Sequence, residues 1–507
     1  MRNKLITLLL CILFVQPLFA QTTTVNISIA NTSASSCSLW IHDLSLMRNY
    51  LKKGNVGISL NNKKASVYTI HITKPQFISI SCGSSPAQDA AYISYDLFVS
   101  PGDNISFKAD FKKPDYGIVV TGKGSNNNQP LVQKLKGVDY QQFYGDTLPY
   151  RALAGIKKEA VTEKRVLAGY IKKYKPSAAF IKSRLYDHEY FTATTYFDFK
   201  EGNKYQIRGP YERNFKQWQQ VNDSLFRQIK LNNADALVSE KYIRLVDIFL
   251  LREKERLWKE SYINPDAFYK EWYNTNKEDG KKLFDDDISN LLQEKIINKY
   301  FSGKVAEHLF AVFFDDAFSE SDPRNIVQIF ARFKKNFPGS RYIAWFGPSV
   351  DTIIKKQHNS LNADMIFAKD NGTTLKSFDE VLAMVKGKTV LLDMWGTWCG
   401  PCRSETDKNG AAIKAHFKNK GLDYLYVANR DLKNEKAWKE LIAYLGMNGT
   451  HILASNELSN DIMKKVNGTG YPTYVIINKD GSYELSKAGY PMDREILIKQ
   501  LEEALAK

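Results

Sequence analysis

Residues 389–402, TVLLDMWGTWCGPC, decide the fold of the carboxyl-terminal third of the chain. The first half of this stretch is apolar except for Asp393, and it has the length of a buried central strand. The CGPC motif at residues 399–402 comes after a short turn, and a segment with helical spacing of apolar residues follows it. A Cys-x-x-Cys motif between a strand and a helix predicts an α/β domain whose chemistry lies at the helix start.

The residues of the motif suit reversible disulfide exchange. Gly400 allows a tight turn, and Pro401 suits a first helical turn, where no amide donor is needed. Cys399 is then expected at the helix amino terminus, exposed to partners, where free amides and the positive end of the helix dipole stabilise a thiolate. Cys402 is expected one turn further along as a shielded partner. An exposed nucleophilic thiol beside a buried one is what disulfide exchange requires.

Two other interpretations of the motif are weaker. Half of a zinc site needs a second cysteine pair or nearby histidines, and none of the seven histidines has zinc-ligand spacing. We therefore predict no metal. A purely structural disulfide is also compatible with the spacing, but the apolar strand and the neighbouring tryptophans favour a redox site.

The string MWGTWCGPCRSE resembles the exported TlpA/ResA-like thiol–disulfide oxidoreductases of the thioredoxin superfamily. The resemblance covers residues 362–507 and implies a thioredoxin-like α/β fold with a redox-active Cys399–Cys402 disulfide and no other cofactor. The segment GYPT at residues 470–473 is similar to the family's cis-proline segment, which implies a cis peptide bond beside the two sulfur atoms. The predicted substrate-binding residues are Trp398, Gly400, Pro401, Tyr471 and Pro472.

The resemblance also suggests roles for two carboxylates. Asp393 is the only charge in a strand that should be buried, and burial of a lone carboxylate is costly and raises its pKa. The matching aspartate of thioredoxins accepts the proton of the second cysteine, so Asp393 joins Cys399 and Cys402 as a predicted catalytic residue. The alternative is an aspartate turned toward a solvent gap. Glu405 matches a glutamate that modulates the site in ResA-like members.

Tyr471 and Asp407 depart from the family pattern. Tyr471 replaces the usual threonine or small aliphatic residue, which leaves the substrate preference open. Asp407 replaces the usual proline two positions after Glu405, so a local difference at the helix start is expected.

The first twenty residues have the layout of a secretory signal peptide. A positively charged start is followed by an apolar run that is too short for a membrane span, and Ala20 ends the segment with a small residue. A lipid anchor at Cys11 is disfavoured because Leu10 stands where a small residue is needed. We expect an exported mature chain without a transmembrane segment, in the periplasm or cell envelope of a Gram-negative bacterium.

The net charge of +16 does not point to nucleic acid. The 71 basic and 55 acidic residues are scattered along the 507-residue chain, and no basic block stands out. No nucleic-acid partner is therefore predicted.

Residues 21–125 predict a β-rich module, an antiparallel sandwich or barrel. Apolar residues alternate with polar ones over several short runs, and Pro101-Gly102-Asp103 predicts a hairpin turn. Cys37 and Cys82 both fall in phase with inward-facing residues, so either a structural disulfide or two buried thiols fit the pattern.

A linker is expected at residues 122–129, GKGSNNNQ, before an all-α region at residues 130–350. That region is rich in aromatic residues, for which core packing is a better explanation than a partner surface. With the β module before it, the arrangement resembles multidomain envelope proteins of Bacteroidota.

The function implied by the resemblance is disulfide exchange with protein clients that carry disulfides or dithiols. The Gly-Pro pair between the cysteines resembles reducing thioredoxins, so we expect a reductant supplied by a membrane electron donor. Reduction of apocytochrome c cysteines is a family precedent. One alternative is an envelope surface-interaction protein with an accessory thioredoxin-like domain. The other, a peroxidase, fits less well because peroxiredoxins lack an adjacent Cys-x-x-Cys.

Overall fold

The computed structural model describes residues 21–42, 54–83, 92–130, 148–202, 206–287, 289–319, 321 and 323–507. The signal peptide predicted at residues 1–20 lies outside the described residues. Within these ranges, no helix has both the length and the apolar character needed to cross a membrane. The described residues divide into two compact units, one that contains those up to residue 256 together with 300–305, and one that contains those of 257–299 and 306–507.

The first unit begins with eight strands in two open four-stranded sheets, ordered β4-β1-β7-β8 and β3-β2-β5-β6. Apolar residues of both sheets, among them Val25, Phe107, Leu39 and Ile80, share one buried cluster. The strands are β1 (Gln21–Ala30), β2 (Ser36–Ile41), β3 (Asn55–Ser59), β4 (Ala65–Ile72), β5 (Gln76–Gly83), β6 (Tyr92–Val99), β7 (Asn104–Asp110) and β8 (Val119–Lys123).

The prediction of a wholly antiparallel module is wrong for one pair of strands. Strand β1 pairs antiparallel with β4 on one side but parallel with β7 on the other, with Thr24 opposite Asn104. Neither sheet closes into a barrel. The parallel pair joins segments far apart in sequence, so no local turn signal reports it.

The turn at Pro101-Gly102-Asp103 is present, but it does not form the hairpin that we predicted. It connects β6 in one sheet with β7 in the other. The carboxylate of Asp103 accepts a hydrogen bond from the amide of Ser100 at 2.8 Å, and its carbonyl accepts one from Thr24 at 2.9 Å. These bonds direct the chain alongside β1 instead of back along β6.

Cys37 and Cys82 lie opposite each other on the neighbouring strands β2 and β5, and they form a disulfide. Both side chains are buried in the cluster that the two sheets share. Of the two arrangements that the sequence leaves open, the structure has the bonded one.

The expected linker at residues 122–129 is built into the first unit. Its first two residues extend strand β8, and Asn127 and Asn128 are buried. The side chain of Asn128 accepts a hydrogen bond from the amide of Phe98 at 2.6 Å and donates one to the carbonyl of Phe98 at 2.9 Å. An amide side chain can replace a missing neighbouring strand in this way, which composition alone does not reveal.

The helices of the chain's middle part run from Pro149 to Gln357. They are α1 (Pro149–Tyr174), α2 (Ala178–Gly202), α3 (Arg208–Arg213), α4 (Phe215–Gln228), α5 (Glu240–Ile263), α6 (Pro265–Tyr273), α7 (Lys277–Asp286), α8 (Asn290–Tyr300), α9 (Gly303–Ser319), α10 (Ile326–Asn336) and α11 (Arg341–Gln357). In the second unit, Phe314 of α9 packs against Phe330 and Phe346 at ring distances of 5.3 and 5.7 Å. Most of the aromatic residues are buried as core, whereas Trp258 is exposed.

The second unit ends in a six-stranded sheet of order β14-β13-β10-β11-β12-β9, with helices between its strands. Strand β10 is central and fully buried, as predicted; it pairs parallel with β11 and antiparallel with β13. The elements are β9 (Met365–Phe367), α12 (Phe378–Met384), β10 (Thr389–Trp395), α13 (Gly400–His416), β11 (Leu422–Asn429), α14 (Glu435–Leu445), β12 (Gly449–Ala454), α15 (Asn456–Lys465), β13 (Thr473–Ile477), β14 (Tyr483–Leu485) and α16 (Arg494–Leu505).

Replacement of Asn128 by alanine should destabilise the β module by about 2–3 kcal/mol, because it leaves the buried amide and carbonyl of Phe98 without partners. Asn126→Ala is the matched control, since Asn126 lies in the same run of asparagines but makes an exposed bond to Lys175. Urea unfolding with hydrogen exchange of β6 peptides measures the effect. Equal effects of the two variants would contradict the assigned role.

Candidate active site

The two cysteines of the CGPC motif form a disulfide where helix α13 begins. Cys399 is the residue before the first helical turn, and its sulfur accepts a hydrogen bond from the amide of Cys402 at 3.2 Å. The side chains are 3% and 1% exposed, so the expectation of an exposed Cys399 is wrong for this bonded form. Gly400 is buried as well, whereas Pro401 is exposed.

The turn before the cysteines is held by the end of strand β11 and by the residues after it. The amide and hydroxyl of Thr397 donate to the carboxylate of Asp431 at 2.8 and 2.5 Å. The indole of Trp398 donates to the carbonyl of Asn429 at 2.9 Å. A Cβ atom on Gly396 would overlap that indole ring, so glycine is favoured at this position.

The segment before strand β13 completes the site. The peptide bond between Tyr471 and Pro472 is cis, as the resemblance implied. Thr473 pairs with Met394, so the backbone register places Pro472 beside the carboxyl end of β10. The ring of Tyr471 packs on the cluster that contains both cysteines and meets Trp398 edge-to-face at 5.6 Å. Its hydroxyl accepts a hydrogen bond from the side chain of Asn429.

Asp393 lies in the centre of the sheet, between Tyr426 of β11 and Tyr474 of β13. Its side chain is 6% exposed, and its Oδ1 atom makes no hydrogen bond with the described residues. Burial raises the pKa of Asp393 to about 7; the Lys414 ammonium opposes that rise, and the Glu405 carboxylate adds to it. The carboxylate is thus enclosed, and the alternative of a solvent gap does not describe this structure.

Helix α13 supplies the charged groups that act on Asp393. Glu405 is buried and accepts a hydrogen bond from the side chain of Asn409 at 2.7 Å. Lys414 donates to the carbonyl of Gly446 at 3.1 Å, and burial lowers its pKa to about 8. One helix therefore carries both the cysteines and a cation that favours the ionised form of Asp393.

Sequence reasoning missed Asp431, Asn429 and Lys414. Asp431 had one available signal, because it is an acidic residue directly after an apolar strand. Asn429 and Lys414 have no such signal, since their partners come from other parts of the chain. In the described part of the chain, no group of three or more histidine, cysteine or carboxylate side chains is arranged to hold a metal ion.

Comparison with known proteins agrees with this geometry. Residues 369–505 match the family model described as Redoxin. The thiol-disulfide oxidoreductase ResA of Bacillus subtilis is 30% identical over 100 residues, which cover 20% of this chain and 52% of ResA. The chain thus spans about half the length of this curated relative. These matches show that the carboxyl-terminal domain is similar to the Redoxin family and to the thiol-disulfide oxidoreductase ResA.

Two solved structures are similar to about a quarter of the chain. One is the thioredoxin domain of a Bacteroides vulgatus thiol-disulfide oxidoreductase, with 24% identity, a TM-score of 0.21, and coverage of 24% of this chain and 84% of that one. The other is a secreted disulfide oxidoreductase of Mycobacterium tuberculosis, with 20% identity, a TM-score of 0.20, and coverage of 24% and 85%.

Asp393→Asn should raise the free energy of unfolding of the sheet more at pH 7.5 than at pH 4. The difference between the two effects should be roughly 2–4 kcal/mol. Because the pKa of Asp393 is raised on folding, the folded state binds more protons than the unfolded state between about pH 4 and pH 7. The stability contributed by Asp393 therefore falls as the pH rises through that window, and asparagine removes the dependence.

Hydrogen exchange of β10 peptides in the full chain, corrected for intrinsic exchange, measures this difference. The range stops at pH 7.5 because Lys414 begins to titrate near its pKa of about 8. Asp423→Asn, at an exposed carboxylate of β11, is the control. A pH profile of Asp393→Asn parallel to that of the unaltered protein would contradict the burial argument.

Proposed function

We propose that the protein is an exported thiol–disulfide oxidoreductase that exchanges disulfides with partner proteins through Cys399 and Cys402. The single observation that carries the proposal is the bonded cysteine pair at the start of α13 with a buried carboxylate, Asp393, on the adjacent strand. A stable fold alone does not explain that carboxylate, because burying an apolar residue in a central strand costs less free energy. The matches of residues 369–505 support the same chemistry.

Reduction of a client begins at Cys399. Its thiolate attacks one sulfur of the client disulfide, a bond forms between the two proteins, and the client's S–S bond breaks. The departing client sulfur leaves as a thiolate and takes a proton from solvent. The amino terminus of α13 stabilises the thiolate of Cys399 before attack, through the amide of Cys402 and the helix dipole.

Cys402 completes the exchange. Its proton passes to Asp393, and the resulting thiolate attacks the sulfur of Cys399, which releases the second client sulfur as a thiolate. The client has then gained two electrons, and the protein holds the Cys399–Cys402 disulfide. A carboxylate whose pKa is about 7 suits this role, because it can bind and release a proton near neutral pH.

Trp398, Tyr471 and Pro472 form the surface on which the client segment lies, with Gly400 and Pro401 beside the sulfur atoms. The cis-proline segment offers the backbone for pairing with an extended client, and Trp398 and Tyr471 form an aromatic corner next to it. Glu405 modulates Asp393 by raising its pKa.

We assign the reducing direction to the reaction. The Gly-Pro pair resembles reducing thioredoxins, and a reductant outside the cytoplasm needs electrons from a membrane partner. The signal-peptide pattern supports a location in the periplasm or cell envelope. Clients are proteins that carry disulfides, and apocytochrome c is the family precedent for one.

Cys402→Ser should trap client proteins as mixed disulfides on Cys399, because the second thiolate that resolves them is missing. Turnover should fall at least about thousandfold in both single variants, as expected for removal of a reacting group. Mass spectrometry of non-reduced adducts from the native envelope identifies the clients. Cys399→Ser is the matched control and should capture none. If Cys402→Ser captured no adduct either, the exchange mechanism would be wrong.

The reduction potential of the Cys399–Cys402 pair should be about −270 mV, the value of reducing thioredoxins. Equilibration of the full chain with dithiothreitol or glutathione buffers, followed by alkylation, measures the potential. Cys37→Ala/Cys82→Ala keeps the first disulfide from contributing to the signal. A value above about −150 mV would assign the protein to the oxidants instead.

A further inference from the structure

Three loops lie at the end of the sheet where the cysteines are, next to the last residues of strands β10 and β11. Residues 396–399 follow β10, residues 430–434 follow β11, and residues 468–472 precede β13. Because β10 and β11 are parallel and β13 is antiparallel to β10, these ends lie on the same side of the sheet. A client that reaches Cys399 therefore passes over these loops.

The charged side chains of these loops that face solvent are all positive. Arg430 and Lys433 are exposed, whereas the only carboxylate of the three loops, Asp431, is turned inward and bound to Thr397. Glu435, the next acidic residue along the chain, already pairs with Lys439. The rim beside the cysteines is thus positive.

Arg430 is positioned against the client surface. Its backbone has a φ of 61°, a left-handed conformation, and its guanidinium lies over the ring of Trp398 at 5.3 Å. Trp398 itself is 45% exposed. A guanidinium also carries N–H donors along its edge, and these suit a planar anion that accepts two hydrogen bonds, such as a carboxylate.

We infer that this oxidoreductase prefers clients with an acidic side chain next to the reacting cysteine, held by Arg430 on Trp398. The inference rests on the proposed function and names the substrate class of the same site. A carboxylate in the client pairs with the guanidinium edge, while its neighbouring apolar groups contact the exposed parts of Trp398 and Leu432. Lys433 adds positive potential at the same rim, which raises the rate of encounter with acidic segments.

The test uses the reduced full chain and three peptide disulfides that differ only at the residue beside the cysteine, which is glutamate, glutamine or lysine. Single-turnover mixing, followed by acid quench and chromatography, gives a second-order rate constant for each peptide. The glutamate peptide should react about tenfold faster than the lysine peptide at low ionic strength. The ratio should fall toward one at about 1 M salt, where screening acts within about 3 Å.

Charge reversal in the protein provides the decisive comparison. Arg430→Glu should invert the preference, so that the lysine peptide becomes the faster one. Arg430→Lys keeps the charge and should retain part of the ratio, which separates charge from loss of stacking. Lys388→Glu makes the same change in net charge at the opposite edge of the sheet, where Lys388 pairs with Asp423, and should leave the ratio unaltered.

The outcomes distinguish this inference from the proposed function. If all three peptides reacted at equal rates, the acidic preference would be wrong and disulfide exchange would stand. A preference that survived Arg430→Glu unchanged would remove Arg430 from recognition. If none of the peptides reacted, the proposed function would fail, and this inference with it.

Discussion

Burial of Asp393 in the central strand is the constraint on which the carboxyl-terminal domain depends. Asp393 is only 6% exposed in the middle of a six-stranded sheet, so folding must either keep its carboxylate protonated or bring a cation to it. The domain uses both solutions, with a pKa near neutrality and the ammonium of Lys414 on the helix that begins at the cysteines. The folded sheet therefore loses stability as this buried carboxylate ionises near neutral pH.

A second layer of side chains fixes the surface around the disulfide. Asn429 binds two of the surface residues. Its carbonyl accepts a hydrogen bond from the indole of Trp398, and its side chain donates one to the hydroxyl of Tyr471. Asp431 fixes the turn before Cys399 through Thr397. Asn429 is the last residue of β11 and Asp431 lies in the loop after it, so this part of the chain orients the aromatic corner without contributing an atom to the reaction.

The sequence predicts the local parts of this structure and misses those that depend on distant pairing. The strand, turn and helix at residues 389–416 follow from the apolar run, the glycine and the proline within one short stretch, and the cis bond before Pro472 follows from a family motif. The roles of Asn128 and Lys414 do not, because a polar residue gives no sign of which remote backbone group it will meet. The burial of Cys399 was not predicted either, because it depends on packing with residues that are distant in the sequence, such as Tyr471.

Strand β1 is first among the described strands but central in its sheet, between β4 and β7. Neither neighbour of β1 is the next strand in the sequence, so this sheet cannot be built from consecutive hairpins. Its parallel partner β7 follows β2, β3, β5 and β6 in the sequence, so the pairing of β1 with β7 must overcome the entropy of closing a long loop. The kinetic barrier to forming the β module is thus set by topology, and its rate should respond most to changes along the interface of β1 and β7.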